Sequence, residues 1–125
     1  MTPDEEFELA FYQLRIVVPE NKFDEFIESL LSLSCGIRKE QGCLDFSLYR
    51  NLEKQDVYSV IGKWKTRQAM EKHFNQKFFP VLIGAARVLG EDFEMNISET
   101  LEKGSYHLAK KKMTLHPKKG KTKGV

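Results

Sequence analysis

Cysteine is nearly absent from this chain. Cys35 and Cys43 are the two it has, too few for a disulfide framework, and neither lies in a CxxC or Cys/His cluster of the kind that holds zinc. Both read as small core residues. Long apolar runs are missing as well: nothing approaches the roughly 18 residues of a membrane span. The acidic opening, Met1 to Glu8, is unlike a basic and then apolar secretory signal. A soluble cytoplasmic protein is expected. Gly62, Gly84 and Gly90 are scattered and lack the GK[ST] of a phosphate loop, which argues against nucleotide hydrolysis. No serine sits in a strand-turn-helix nucleophile elbow, so a hydrolase is disfavoured. His73 is the one histidine outside the C-terminal segment, since the others are His107 and His116, and a multi-histidine metal site in the body is excluded.

Acidic residues are absent beyond residue 102. Residues 103–125 hold eight Lys and no Asp or Glu, a net of +8, whereas residues 1–102 hold 12 Lys and Arg against 18 Asp and Glu, a net of −6. The chain therefore divides into a folded domain, 1–102, and a basic Lys-rich tail, 103–125. A nucleic-acid-binding fold would carry its positive charge on the folded surface, which disfavours that class for the body. The tail has too little apolar content to fold alone and reads as a solvated, partly disordered extension whose charge suits polyanions. Tyr106, Leu108, Met113 and Leu115 would let its first half dock on the body or on a dimer mate.

What is present describes one globular domain: 125 residues, 41% hydrophobic and 30% charged, with nine Phe, four Tyr and one Trp. Tyr12, Leu14, Ile16 and Val18 recur every second residue and predict a strand over 8–18. Pro19 stops it, and Asn21 is placed to cap a helix from Lys22 to about Glu40, in which Phe23, Phe26, Ile27, Leu30, Leu33 and Ile37 form one stripe. Gly42 ends that segment. Residues 43–51 alternate Leu44, Phe46 and Leu48 against Cys43, Asp45, Ser47 and Tyr49, and after a turn at 52–56 residues 57–65 supply a partner strand. Thr66 caps a helix carrying Ala69, Met70, His73 and Phe74. FFPVLIGAARVL follows as a second helix with Pro80 in its first turn, and 92–98 is the last strand. The order is β-α-β-β-α-β, a ferredoxin-like α+β fold with a four-stranded antiparallel sheet and helices on one face. Tyr49, Tyr58 and Phe11 on the other face would leave an apolar surface, and a homodimer closing sheet on sheet would cover it.

Trp64, His73, Phe74, Phe78 and Leu82 are expected to converge between sheet and helices as a mostly apolar pocket with one titratable group. Such a His is either a satisfied core residue or a general base, and histidine's ordinary pKa of roughly 6.5 suits the second role.

The strings GCLDFSLYRN and VYSVIGKWKTRQAMEKHFNQKFFPVLIGAARVL resemble the antibiotic biosynthesis monooxygenase family. The shared pattern is a Gly-Cys-Leu strand opening (Gly42, Cys43, Leu44), a strand ending in Glu-x-Trp-x-Ser (Trp64, with Thr66 for Ser), a His nine residues past the Trp (His73) and a Phe after it (Phe78). The resemblance covers roughly residues 8–98 and implies a dimeric α+β barrel. It also implies cofactor-independent monooxygenation of a small quinol- or phenol-like substrate, with His73 catalytic and Trp64, Phe74, Phe78, Leu82 and Gln13 lining the substrate site. The chain departs from the pattern at Gly62, where the family carries the Glu of Glu-x-Trp, and at Lys77, where a second His often stands. The haem-degrading branch is an alternative; it pairs Trp and His with an Asn on the first strand, where this chain offers Gln13. A non-catalytic dimeric ligand-binding or stress protein is the other alternative.

Overall fold

The computed structural model describes residues 9–114. Strand β1 (Ala10–Val17) follows the alternation of its sequence: side chains from Ala10 to Ile16 at even positions are buried and those between them half-buried. A 3-10 turn, Glu20–Lys22, then leads straight into helix α1 (Phe23–Arg38). Asn21 lies within this turn and caps nothing. Lys22 occupies the cap position without a side-chain hydrogen bond, and its own N–H is satisfied by Pro19 O at 2.8 Å. Helix α1 buries Phe26, Leu30, Ser34 and Ile37.

The turn after α1 contains Gly42 at φ +85°, a conformation that favours glycine. A Cβ there would also lie 2.5 Å from the Ala69 Cβ, so the glycine lets this turn press against the helix that carries His73. Strands β2 (Cys43–Arg50) and β3 (Val57–Trp64) form a hairpin, whose turn is held by Asn51 Oδ1 accepting from the N–H groups of Glu53 and Lys54, both at 2.8 Å. Thr66 caps helix α2 (Arg67–Phe74) by accepting from Ala69 N–H at 3.1 Å. Helix α3 (Phe78–Leu89) and strand β4 (Asp92–Glu99) complete the β-α-β-β-α-β order, with α2 and α3 together forming its second helical crossover.

The sheet order is β2-β3-β1-β4, with every neighbour antiparallel, which is the ferredoxin-like α+β arrangement. Pairing places Tyr12 beside Gly62 on one side and Ile97 on the other, so the central strand β1 lays its even-numbered residues under the helices.

Two expected faces are different in the structure. A register shift between Cys43 and Asp45 breaks the alternation of β2; it packs Cys43 against the core and leaves Leu44 exposed, while Phe46 and Leu48 stay inward. Tyr58 is not on the open face. It is buried under α1, with its ring 5.7 Å from that of Phe23 and 5.1 Å from that of Phe26. The open face is accordingly mixed: Phe11, Val17 and Ile61 alternate with Gln13, Arg15, Ser47, Ser59 and Lys63.

The segment read as a solvated, partly disordered extension contains a helix, α4 (Tyr106–Thr114). Tyr106 and Met113 are exposed on it, and Lys112 Nζ pairs with Glu102 at 2.8 Å. Leu115 and the lysines from Lys118 onward lie outside the described residues. No helix among the described residues is long and apolar enough to cross a membrane.

Candidate functional site

His73 is 1% exposed, although helix α2 is mostly polar on its outer side. Its aromatic surroundings come from three elements. The Trp64 indole at the end of β3 stacks on it with centroids 4.5 Å apart and planes 28° apart, Tyr12 from β1 lies at 5.5 Å, and Phe79 from α3 meets it edge-on at 5.4 Å. Phe74 closes the cluster against Tyr12 and Phe79.

Inside this apolar shell both ring nitrogens are bonded. Nδ1 lies 2.7 Å from Glu40 Oε1, and Nε2 lies 2.7 Å from Tyr12 Oη. An ionised carboxylate only accepts, so Nδ1 carries the proton and donates it to Glu40; the neutral ring then accepts at Nε2 from the Tyr12 hydroxyl. Burial lowers the pKa of His73 below its ordinary value of 6.5, against the opposing pull of the Glu40 bond and charge. Burial, reinforced by the charges of Cys43 and Glu40, raises Tyr12 far above its ordinary value and keeps the phenol protonated. The Cys43 thiol is pushed up to about 11, chiefly by burial, and is unreactive as a thiolate near neutrality.

The residues read as site residues take different places. Trp64, His73 and Leu82 are fully buried in the core. Phe74 joins the aromatic cluster, whereas Phe78 packs toward α1: a Cβ at Gly36 would lie 2.5 Å from its ring. Its neighbour Phe79 is the phenylalanine that faces His73. Gln13 is on the opposite side of β1 from Tyr12, donating to Ser59 Oγ at 3.3 Å. Tyr12, Phe74 and Phe79 pack together around His73 between sheet and helices.

Access to the cluster comes from the side of α2 instead. A cleft of about 240 Å³ is lined by Glu40, Gln41, Ala69, Lys72, His73 and Gln76. A second cleft of about 360 Å³ shares Gln41, Ala69 and Lys72 with the first and adds Gly42, Lys65, Thr66 and Gln68. Lys65 and Lys72 set cationic groups on the walls. Glu40, whose side chain is 13% exposed, was not legible as a site residue, nor was Tyr12; they are 33 and 61 residues from His73.

Position 62 explains part of this arrangement. A Cβ on Gly62 would sit 3.0 Å from the Tyr12 ring and 3.1 Å from Trp64 Nε1, so a side chain there would press on both rings. The Trp64 indole N–H beside it is buried and has no hydrogen-bond partner among the described residues. The carboxylate on the imidazole comes from the α1–β2 turn, as Glu40. Haem does not fit these residues, because neither nitrogen of His73 is open to an iron. Among the described residues no three His, Cys, Asp or Glu side chains are grouped to hold a metal ion.

Comparison with curated proteins gives no significant match. Among solved structures the fold is similar to a conserved protein from Methanosarcina mazei Go1, with TM-score 0.72 and 21% identity, covering 79% of this chain and 99% of that one. It is similar also to SnoaB, a cofactor-independent oxygenase from Streptomyces nogalater, with TM-score 0.68 and 19% identity, covering 77% of this chain and 96% of that one. At these identities the likeness is one of fold. The family profile described as antibiotic biosynthesis monooxygenase matches residues 5–79, well over half of the chain, and the chain belongs to the antibiotic biosynthesis monooxygenase family.

Proposed function

We propose that this protein is a cofactor-independent monooxygenase of a small quinol- or phenol-like substrate, in which the His73 cluster takes the substrate's proton. The observation that carries this reading is a neutral imidazole held between Tyr12 and Glu40 at 2.7 Å each, beside a cleft of about 240 Å³. Family membership supports the reaction class. Removing a phenolic proton leaves an electron-rich anion that can pass electrons to oxygen. In the overall balance a quinol and O₂ give a hydroxyquinone and water, one oxygen atom entering the ring and the substrate supplying all the electrons. A positioned acid–base group contributes roughly 10²- to 10⁴-fold to such a step. The aromatic shell around His73 keeps water from the imidazole. A homodimer closing on the open face of the sheet completes the proposal, supported by Phe11, Val17 and Ile61 on that face.

The test is oxygen uptake across a panel of quinols, with His73→Ala as the control. A position lining an open pocket would lose little stability on truncation. His73 is instead fully buried and ring-stacked, so melting must be measured on the same preparation. Enzyme-dependent uptake that disappears in a folded His73→Ala sample is expected. Saturable quinol binding without uptake would replace the oxygenase with a ligand-binding protein.

A further inference from the structure

The bonds to His73 leave it no lone pair for an incoming proton: Nδ1 carries hydrogen toward Glu40, and Nε2 already accepts from Tyr12. Tyr12 is 0% exposed and lies deeper still. Glu40 is different. It lines the cleft, and its buried Oε2 has no hydrogen-bond partner among the described residues, while Oε1 is held by the imidazole. A carboxylate oxygen withdrawn from water and left without a donor is costly, and a ligand hydroxyl entering the cleft supplies the missing donor.

This inference rests on the reading of the His73 cluster as the acid–base centre. We propose that Glu40 Oε2 is the atom that binds the phenolic hydroxyl of the substrate and accepts its proton, with His73 and Tyr12 as positioning residues behind it. In that step the phenolic O–H bond breaks, a new O–H bond forms on Oε2, and the electron pair stays on the phenolate oxygen. The step needs no oxidant. Lys72 lines the same cleft and sets a positive charge on its wall for the phenolate. Tyr12 fixes the tautomer, because its donation to Nε2 obliges the ring proton to sit on Nδ1. That proton in turn anchors Oε1 and leaves Oε2 to the ligand. Gly42, at φ +85° against Ala69, holds the turn from which Glu40 reaches in, so the carboxylate missing at position 62 is delivered from another part of the chain.

The probe is para-nitrophenol, whose bound ionisation is read from its absorbance. In the parent protein, Glu40 should take the proton of the bound phenol and Lys72 should face the phenolate, so the bound probe should ionise at an apparent pKa about one unit or more below its free value. Glu40→Gln keeps an acceptor for the imidazole and should abolish that shift; Glu40→Asp keeps the charge, should retain most of it, and serves as the second variant if the Gln form melts early. A shift that survives Glu40→Gln, or a probe that shows no saturable binding to the parent, overturns the assignment. With an oxidised quinol in hand, Glu40→Gln should lower turnover at least about 100-fold. If no quinol is oxidised but the probe behaves as expected, the oxygenase reading fails and the Glu40 site stands. If Glu40→Gln turns a quinol over at the parental rate, the oxygenase reading stands and the Glu40 site fails.

Discussion

The two faces of the one sheet are opposites, although they are written in alternate residues of the same strands. Under the helices, Tyr12, Leu14 and Ile16 of β1 are 0% exposed and Trp64 of β3 is equally buried. On the other face Phe11, Gln13, Arg15 and Val17 are half-buried, and their cross-strand partners Lys63, Ile61 and Ser59 are as mixed. The inner face therefore carries fold and chemistry together: the Tyr12–His73–Glu40 chain is polar, but it is enclosed by the rings that make the core. The open face carries neither strongly. It is an antiparallel surface that tolerates water on one side, with scattered apolar residues for a second copy to cover.

The sharpest way to break that contrast is a pair of truncations. Trp64→Ala removes a fully buried indole that stacks on His73 and should cost about 3–5 kcal/mol in urea unfolding. Phe11→Ala, one strand over and on the other face, should cost less than about 1 kcal/mol in the monomer. Comparable losses would mean that the open face is as tightly packed as the inner one.

Acid tests the polar part of the inner face. The His73 pKa is lowered from 6.5 by burial, so between the folded value and 6.5 the unfolded chain binds a proton that the native state does not. Stability rises with pH wherever the unfolded state holds more protons. The contribution of neutral His73 is therefore complete above about pH 6.5 and is lost as the pH falls toward the folded value, at up to about 1.4 kcal/mol per unit. Urea midpoints taken from pH 7.5 to about pH 5 should decline, and the decline should flatten in His73→Gln. An equal slope in that variant would place the titration elsewhere.

What was legible in the sequence was local. The period of two in β1, the Thr66 cap three residues before Ala69, and Pro80 in a first turn are each decided by neighbours a few residues apart, and these elements stand where the patterns put them. His73 was legible because it is alone in the body. Its partners were not, since Tyr12 meets it only through the β1–β3 register and Glu40 only through the turn that Gly42 presses onto Ala69. Phe78 and Phe79 are adjacent, and which ring turns inward depends on the angle at which α3 starts, a matter of roughly 100° that composition does not encode. The register shift at Cys43 and Asp45 likewise reversed the expected direction of Leu44.

The open face is tested by Ile61→Asp, which lies opposite Gln13 on β1 and Ser47 on β2. In the proposed dimer a carboxylate there would be desolvated without a partner, a loss of roughly 3–5 kcal/mol from association; in the separated protomer it stays in water and should change stability by about 0.5 kcal/mol or less. Sedimentation equilibrium should show a parental dimer and a variant monomer with similar melting. A parental monomer at micromolar concentration would remove the dimer from the proposal, and a variant dimer would move its interface to another surface.

The smallest effect is expected from deleting residues 104–125. Helix α4 displays Tyr106 and Met113 to solvent, and its ion pair from Lys112 to Glu102 joins side chains that are 52% and 55% exposed. Such a pair is worth about 0–1 kcal/mol. Truncation should therefore leave the urea midpoint of the body within about 0.5 kcal/mol of the parent. Charge responds differently. Residues 103–125 carry net +8 beside a body of net −6, and Coulomb attraction to a polyanion is screened over about 10 Å at 0.1 M salt. Retention on heparin should be present in the parent at low salt, fall as salt is added, and vanish on truncation. A truncated chain that melts well below the parent would instead make α4 part of the domain and join the two regions into a single folding unit.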